Sequence, residues 1–394
     1  MSDSELRSEI AHLPPPIRAK LDAAGFDPER LVALAKPLQA RARGEATAGR
    51  DERNRVRGVV EPPRADDVTD APGPDAPDYG RLAASGLAAI RDRKLAFCVM
   101  AGGMATRMGG VVKALVEALD GHTFLDLRLR ENATWSKRAG APVPLWLMTS
   151  EGTDAAIRDE LARRGAGPSV ATFMQDLGLR LTQDGHLLRR EDGSPSTYAT
   201  GHGDLPDALR RSGLLSEFVA GGGEFVWIAN LDNLGASIDA ALLGWFIEQP
   251  ADLMVEVTPK VAGDRGGIPV WADARDRQGR AVRRLQVLEE FRLPEGFDAA
   301  RVRVFNTNTF LVRAEALLHT QVPWSWCEVE KKVGDRVAVQ FERLLQELTG
   351  AMSAVYVRVP REGATSRFLP VKDHEELARR RDDIRAVAVA RGMI

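Results

Sequence analysis

The stretch "KLAFCVMAGGMATRMGG", residues 94–110, decides how the rest of the chain is read. Leu95 to Met100 is an apolar run of strand length, and glycines follow at once. A buried strand whose carboxyl end opens into such a loop is where open α/β sheets place their ligands. Glycine lets backbone amides approach a ligand with no Cβ between, and Arg107 and Lys113 are cations suited to neutralise a polyphosphate held there. Two familiar motifs fail on spacing: there is no G-x-x-x-x-G-K-[ST], and the glycines do not fall as G-x-G-x-x-G. On the loop alone, a glycine-rich turn with a solvated arginine remains open.

Outward from this stretch, short apolar runs alternate with helical patterns. "PLWLMTS" (144–150) precedes "TDAAIRDELARRG", "EFVWIANLD" (224–232) precedes "SIDAALLGWFIEQ", and "ADLMVEVTP" (251–259) follows. The alternation predicts an α/β fold with a mixed, mostly parallel sheet. Upstream, helical spacing to about Asn54 gives way to "EPPRADDVTDAPGPDAPDYG", which has little to bury. The expected division is a helical segment and linker at 1–80, the core at 81–330 and a closing segment at 331–394. With 394 residues, 44% of them hydrophobic, the chain can bury a large core. Lys and Arg total 54 against 56 acids, so no global field favours nucleic acid or an anionic membrane. The N-terminus has no basic region followed by an apolar run, and no run is long enough to span a bilayer, which predicts a cytoplasmic protein. Cys98 and Cys327 lack metal-type spacing and suit a reducing compartment.

Three clusters stand out by residue type. "NLDNLG" sets Asn230 and Asp232 at a strand end, where a hard carboxylate oxygen suits Mg²⁺, although a turn-forming Asn/Asp cluster reads equally. "GHGDLPDALRRSG" places His202 beside glycines near a helix start, a setting that His12, His122, His186, His319 and His374 lack. "FNTNTF" alternates neutral hydrogen-bonding side chains, which on residue type alone read as an exposed strand face.

The loop, followed by "GHTFLDL" (121–127), resembles the signature of the sugar-1-phosphate uridylyltransferases, the family of eukaryotic-type UDP-glucose and UDP-N-acetylhexosamine pyrophosphorylases. "LMTS", "FMQ", "GHGDLPDALRRSG", "NLDNLG", "VTPK…GG", "VLEEFRLP", "FNTNTFLV" and "SRFLPVK" arrive in family order, over Leu95 to Lys372. The resemblance implies a Rossmann-like nucleotidyltransferase domain that makes UDP-glucose and pyrophosphate from UTP and glucose 1-phosphate, by Mg²⁺-assisted in-line attack on the α-phosphate. It assigns uridine to Met100, Ala101, Gly102, Gly103, Met148, Gln175 and Gly201, with the Gln175 amide reading the base. It assigns the sugar phosphate to His202 as a donor, with Asn230, Gly267, Glu289, Asn306 and Asn308, and the metal to Asp232. Arg107, Lys113 and Lys372 would spread the transition-state charge, Lys372 closing in from the C-terminal segment.

Three departures from the pattern matter. Ala105 replaces a loop glycine. "GGVVK" lacks the family's proline and is one residue short, which bears on the register of Lys113. Arg107 is typical of the hexosamine branch, so N-acetylglucosamine 1-phosphate or several sugar 1-phosphates are the alternative substrates. The few residues after Lys372 are too short for the C-terminal β-helix of eukaryotic relatives, so a monomer or dimer is expected over a β-helix-mediated oligomer. A non-catalytic nucleotide-sugar-binding protein is a third reading, disfavoured because a binder needs no such set of charges as Asp232, Lys372 and a loop lysine.

Overall fold

The structure, a computed structural model, describes residues 3–46, 48–105 and 108–394. At its centre is a sheet of eight strands: β1 (Val68–Asp70), β2 (Leu95–Met100), β3 (Leu145–Thr149), β4 (Val170–Met174), β5 (Phe225–Asn230), β6 (Leu253–Pro259), β7 (Val304–Arg313) and β8 (Ala354–Arg358). Their order is β1-β8-β6-β7-β5-β2-β3-β4, and only the two pairings of β7 are antiparallel. The sheet is therefore mixed and mostly parallel.

Every residue of β2 is buried. Leu95, Phe97 and Val99 enter the core on one face of the sheet, and Ala96, Cys98 and Met100 enter the core on the other. A strand covered on both faces reads as an unbroken apolar run, which is why "LAFCVM" is legible. The reversed strand has a positional consequence. Ile228 of β5 faces Phe310 of β7, so the early part of β7, with Asn306 and Asn308, lies beside the carboxyl end of β5. Polar residues from a strand start and a strand end thus share one edge of the sheet.

The helix Phe124–Ala139 begins with a reciprocal cap between Thr123 and Asp126 and stops at Gly140, whose φ of 66° is left-handed. It carries Arg128 beneath the carboxyl end of β5. The N-terminal helices Asp3–Ala11, Pro15–Ala23 and Pro28–Ala42 bury Leu6, Leu21, Leu31 and Leu38 against Leu177, Leu179, Val339 and Phe341. They therefore pack on the segments that follow β4 and precede β8.

The 61–80 stretch departs from its reading as a linker. Val68–Asp70 pairs in parallel with Tyr356–Arg358 as an edge strand, and Arg358 holds Asp70 through two bonds of 2.6 and 2.7 Å. Three residues that bury little leave no periodicity to read; backbone pairing and one ion pair hold them. Position 330 falls inside a hairpin, Cys327–Val333 with Arg336–Glu342, and β8 lies within the central sheet, so the closing segment is built into the core. Among the described residues no helix is long and apolar enough to cross a membrane.

Candidate functional site

Residues far apart in sequence meet at the carboxyl ends of β2 to β5, and their contacts close into a ring. At Gly102 an added Cβ would stand 2.5 Å from the Gln175 Oε1, so only glycine lets the Gln175 amide lie against this loop. Gln175, which follows β4, donates from Nε2 to the Gly201 carbonyl at 3.0 Å. Gly201 has a φ of 101°, and a Cβ there would meet the Arg343 carbonyl at 2.5 Å. His202 follows, and its Nδ1 accepts from the Leu345 N–H at 2.9 Å. The next residue, Gln346, donates to Glu289 at 2.5 Å, and Glu289 sits opposite Gly267 in a hairpin.

Gly267 abuts Asn306. The Asn306 side chain accepts from the Asn308 N–H at 3.1 Å, and Asn308 donates to Asn230 at 3.2 Å. Asn308 adopts a φ of 57°, which turns its side chain off the regular alternation of β7. Two residues beyond Asn230, Asp232 accepts from the Lys113 ammonium at 2.5 Å. The Lys113 N–H donates to Gly103 at 3.2 Å, which returns the ring to its start.

Most of these groups are half-buried. Met100 and Met148 differ: both are packed into the core, and Met148 meets the loop through its carbonyl, which accepts from the Ala101 N–H at 2.8 Å. Lys372 is exposed. Its segment is tied to the strand-end loop by Asn233, which donates to the Arg367 carbonyl at 3.1 Å and accepts from the Leu369 N–H at 2.7 Å. Among the described residues no hydrogen bond or ion pair joins the Lys372 ammonium to Lys113 or Asp232. Arg107 lies outside the described residues.

The supports of this ring are residues that the motifs do not mark as functional. Arg128, fully buried, donates to the carbonyls of Asn230, Asn233 and Ala236 at 3.0, 2.5 and 2.7 Å and so clamps the turn that presents Asp232. Arg343 is enclosed by three carboxylates: Asp204 at 2.7 Å, Asp176 at 2.6 Å and Asp207. Its guanidinium also stacks over Trp324 and Trp326. Through Asp176 it anchors the residue after Gln175, and through Asp204 it anchors the turn that carries His202. No local signal marks either arginine; each is a cation beside leucines, visible only once the chain is folded.

Burial pulls His202 down to about 4, so the ring is neutral at pH 7. Burial also pushes Asp204 up, with Asp176 adding to the rise and Arg343 opposing it. Glu289 is pushed up to about 7, chiefly by burial, against the hydrogen bond from Gln346. A carboxyl whose native pKa exceeds its ordinary 4.5 binds a proton that the unfolded chain releases, so its contribution favours the fold at low pH and is lost as pH rises from 4.5 to about 7. Glu289→Gln should therefore gain stability relative to the parent on going from pH 4.5 to pH 8. Urea midpoints at the two pH values check this, and a constant difference would show that Glu289 titrates normally.

Comparisons with known proteins show the family and the fold. A family model described as UTP–glucose-1-phosphate uridylyltransferase matches residues 61–387. A Saccharomyces cerevisiae UTP–glucose-1-phosphate uridylyltransferase is 31% identical over 309 residues, which are 74% of this chain and 60% of that protein. Among solved structures, a Trypanosoma brucei uridine diphosphate N-acetylglucosamine pyrophosphorylase superposes with a TM-score of 0.72 at 19% identity, covering 96% of this chain and 81% of that one. A Leishmania major UDP-glucose pyrophosphorylase variant in complex with UDP-glucose gives 0.67 at 21% identity, covering 96% and 78%. The chain spans about three fifths of the length of the yeast and barley relatives it matches.

Proposed function

Because this chain belongs to the UTP–glucose-1-phosphate uridylyltransferase family, we propose that it catalyses uridylyl transfer from UTP to glucose 1-phosphate, giving UDP-glucose and pyrophosphate. The observation that supports the reading is the closed ring of contacts, which joins the Gln175 amide, the Lys113–Asp232 pair and the Asn306, Asn308 and Asn230 amides. Such a reaction asks for positioning and charge neutralisation more than covalent chemistry.

The uracil edge pairs with Gln175, whose amide keeps its carbonyl oxygen and one N–H beyond the bond to Gly201. The Ala101–Gly103 backbone and Gly201 border the ring. Glu289, Asn306, Asn308 and Asn230 accept and donate to sugar hydroxyls, beside Gly267, and His202 donates to the sugar phosphate. Lys113 neutralises charge at the reacting phosphates, joined in this reading by Arg107 and by Lys372 as its segment closes. Asp232 is the protein ligand for Mg²⁺. Among the described residues no group of three or more His, Cys, Asp or Glu could enclose a metal, so Asp232 would be the one carboxylate offered to it here. When bound, Mg²⁺ supplies charge neutralisation at the phosphates.

Pyrophosphate release from UTP and Mg²⁺ with glucose 1-phosphate, N-acetylglucosamine 1-phosphate and other sugar 1-phosphates tests the reaction; no release with any of them would overturn it. Run with UTP and CTP, the same assay tests base reading. Cytosine would leave buried polar groups mismatched, at about 1–3 kcal/mol each, so UTP should be preferred by about tenfold or more in kcat/KM. Gln175→Ala should narrow that gap by costing UTP more, and an unchanged ratio would remove Gln175 from the base site.

A further inference from the structure

Histidine is useful in a phosphate site only in the right protonation form, and the structure supplies a selector for it. We infer that the backbone N–H of Leu345 selects the His202 tautomer with its proton on Nε2, so that the ring enters the crevice as a neutral hydrogen-bond donor to an anionic oxygen. The catalytic consequence rests on the uridylyl-transfer reading; the selection itself does not.

The bond runs from Leu345 N to His202 Nδ1 at 2.9 Å. An N–H can only donate, so Nδ1 must present its lone pair and the single proton of the neutral ring goes to Nε2. Leu345 opens the short helical turn Leu345–Glu347, and the first N–H of such a turn has no partner within it. The ring therefore satisfies an orphan donor, and the opposite tautomer would set two N–H groups against each other. The donor cannot swing away. Arg343, two residues upstream, is fixed by Asp176, Asp204 and Asp207, and Gln346, next in the chain, is bonded to Glu289. Burial keeps the ring uncharged near neutral pH.

In this state neither nitrogen is a nucleophile. Nδ1 is covered by the backbone, and Nε2 carries its proton in the ring plane. His202 thus stabilises charge on a phosphate without forming a bond to phosphorus. Leu345 is a positioning residue that acts through its main chain.

The full chain labelled with ¹⁵N-histidine is examined by two-bond ¹H–¹⁵N correlation at pH 7, with His202 assigned among the six histidines by its loss in His202→Gln. The expected pattern is an unprotonated Nδ1 and a protonated Nε2; a proton on Nδ1 in the parent protein overturns the inference. Leu345→Pro removes the N–H. Proline is tolerated at the first position of a helical turn, and Leu344 before it has φ −116° and ψ 122°, within the range a following proline imposes. Leu345→Ala keeps the N–H and controls for the lost side chain. Leu345→Pro should mix the tautomers and lower kcat by about tenfold beyond Leu345→Ala, with KM for UTP little changed. A folded Leu345→Pro protein with the parent pattern overturns the inference, and if that variant does not fold, the parent spectrum decides alone. An Nε2–H pattern in a protein that releases no pyrophosphate would support the selector and overturn the reaction.

Discussion

Asp232→Ala is expected to lower kcat by about a hundred- to a thousandfold while leaving the protein folded, because one charged group at the reacting phosphates is worth that much in the transition state. The fold should tolerate the loss: Asp232 and Lys113 are both partly exposed, and such an ion pair contributes no more than about 1 kcal/mol. If Asp232 holds Mg²⁺ as proposed, excess Mg²⁺ should not restore the rate. Turnover and urea midpoint measured on the same preparation separate the two effects. A folded variant that keeps more than about a tenth of the parent rate, well short of the loss one such group accounts for, would free Asp232 from the metal role.

Arg343→Ala should have the largest effect on stability, about 3–5 kcal/mol, because it removes the cation that holds the fully buried Asp204 carboxyl, while Asp176 keeps Arg211 at 2.6 Å. The sign of the pH dependence identifies the cause. Burial already holds the Asp204 carboxyl up at about 7, and losing the guanidinium raises it further, so the loss should be smallest where that carboxyl is protonated in both proteins and should grow as pH rises past about 7. Urea unfolding of the parent and variant across pH 4 to 8 reads this directly. Arg343→Lys keeps a charge but not the three-way geometry, and it should recover part of the loss. A deficit independent of pH would mean that packing against Trp324 and Trp326, not the carboxylates, sets the cost.

What could be read from the sequence follows from how local each determinant is. The strand at Leu95–Met100 announces itself because both its faces are covered, and Gly102, Gln175, Gly201, Asp232 and Lys113 sit in stretches whose residue types already suggest a phosphate or a base. That these stretches meet is a matter of strand order, which the alternation of elements predicts only in class. Arg128, Arg343, Leu345 and Gln346 were not legible as site residues. Each acts through contacts made across more than fifty positions, three of them through or onto backbone groups that no side-chain motif encodes. The edge strand at Val68–Asp70 was hidden for a related reason: it is too short and too exposed to leave a hydrophobic pattern.

The pairing of β1 with β8 has a consequence in time. Asp70 and its partner Arg358 are 288 positions apart, so an emerging chain makes the first strand of the sheet long before its neighbour. At roughly 5–20 residues per second, ribosomal synthesis would leave that strand waiting on the order of fifteen seconds to a minute. Once residues 253–259 are made, β6 has an open edge where β8 will lie. Unpaired edges of this kind invite pairing with other chains, which makes the late arrival of residues 354–358 the step at which a nascent molecule is most exposed to aggregation.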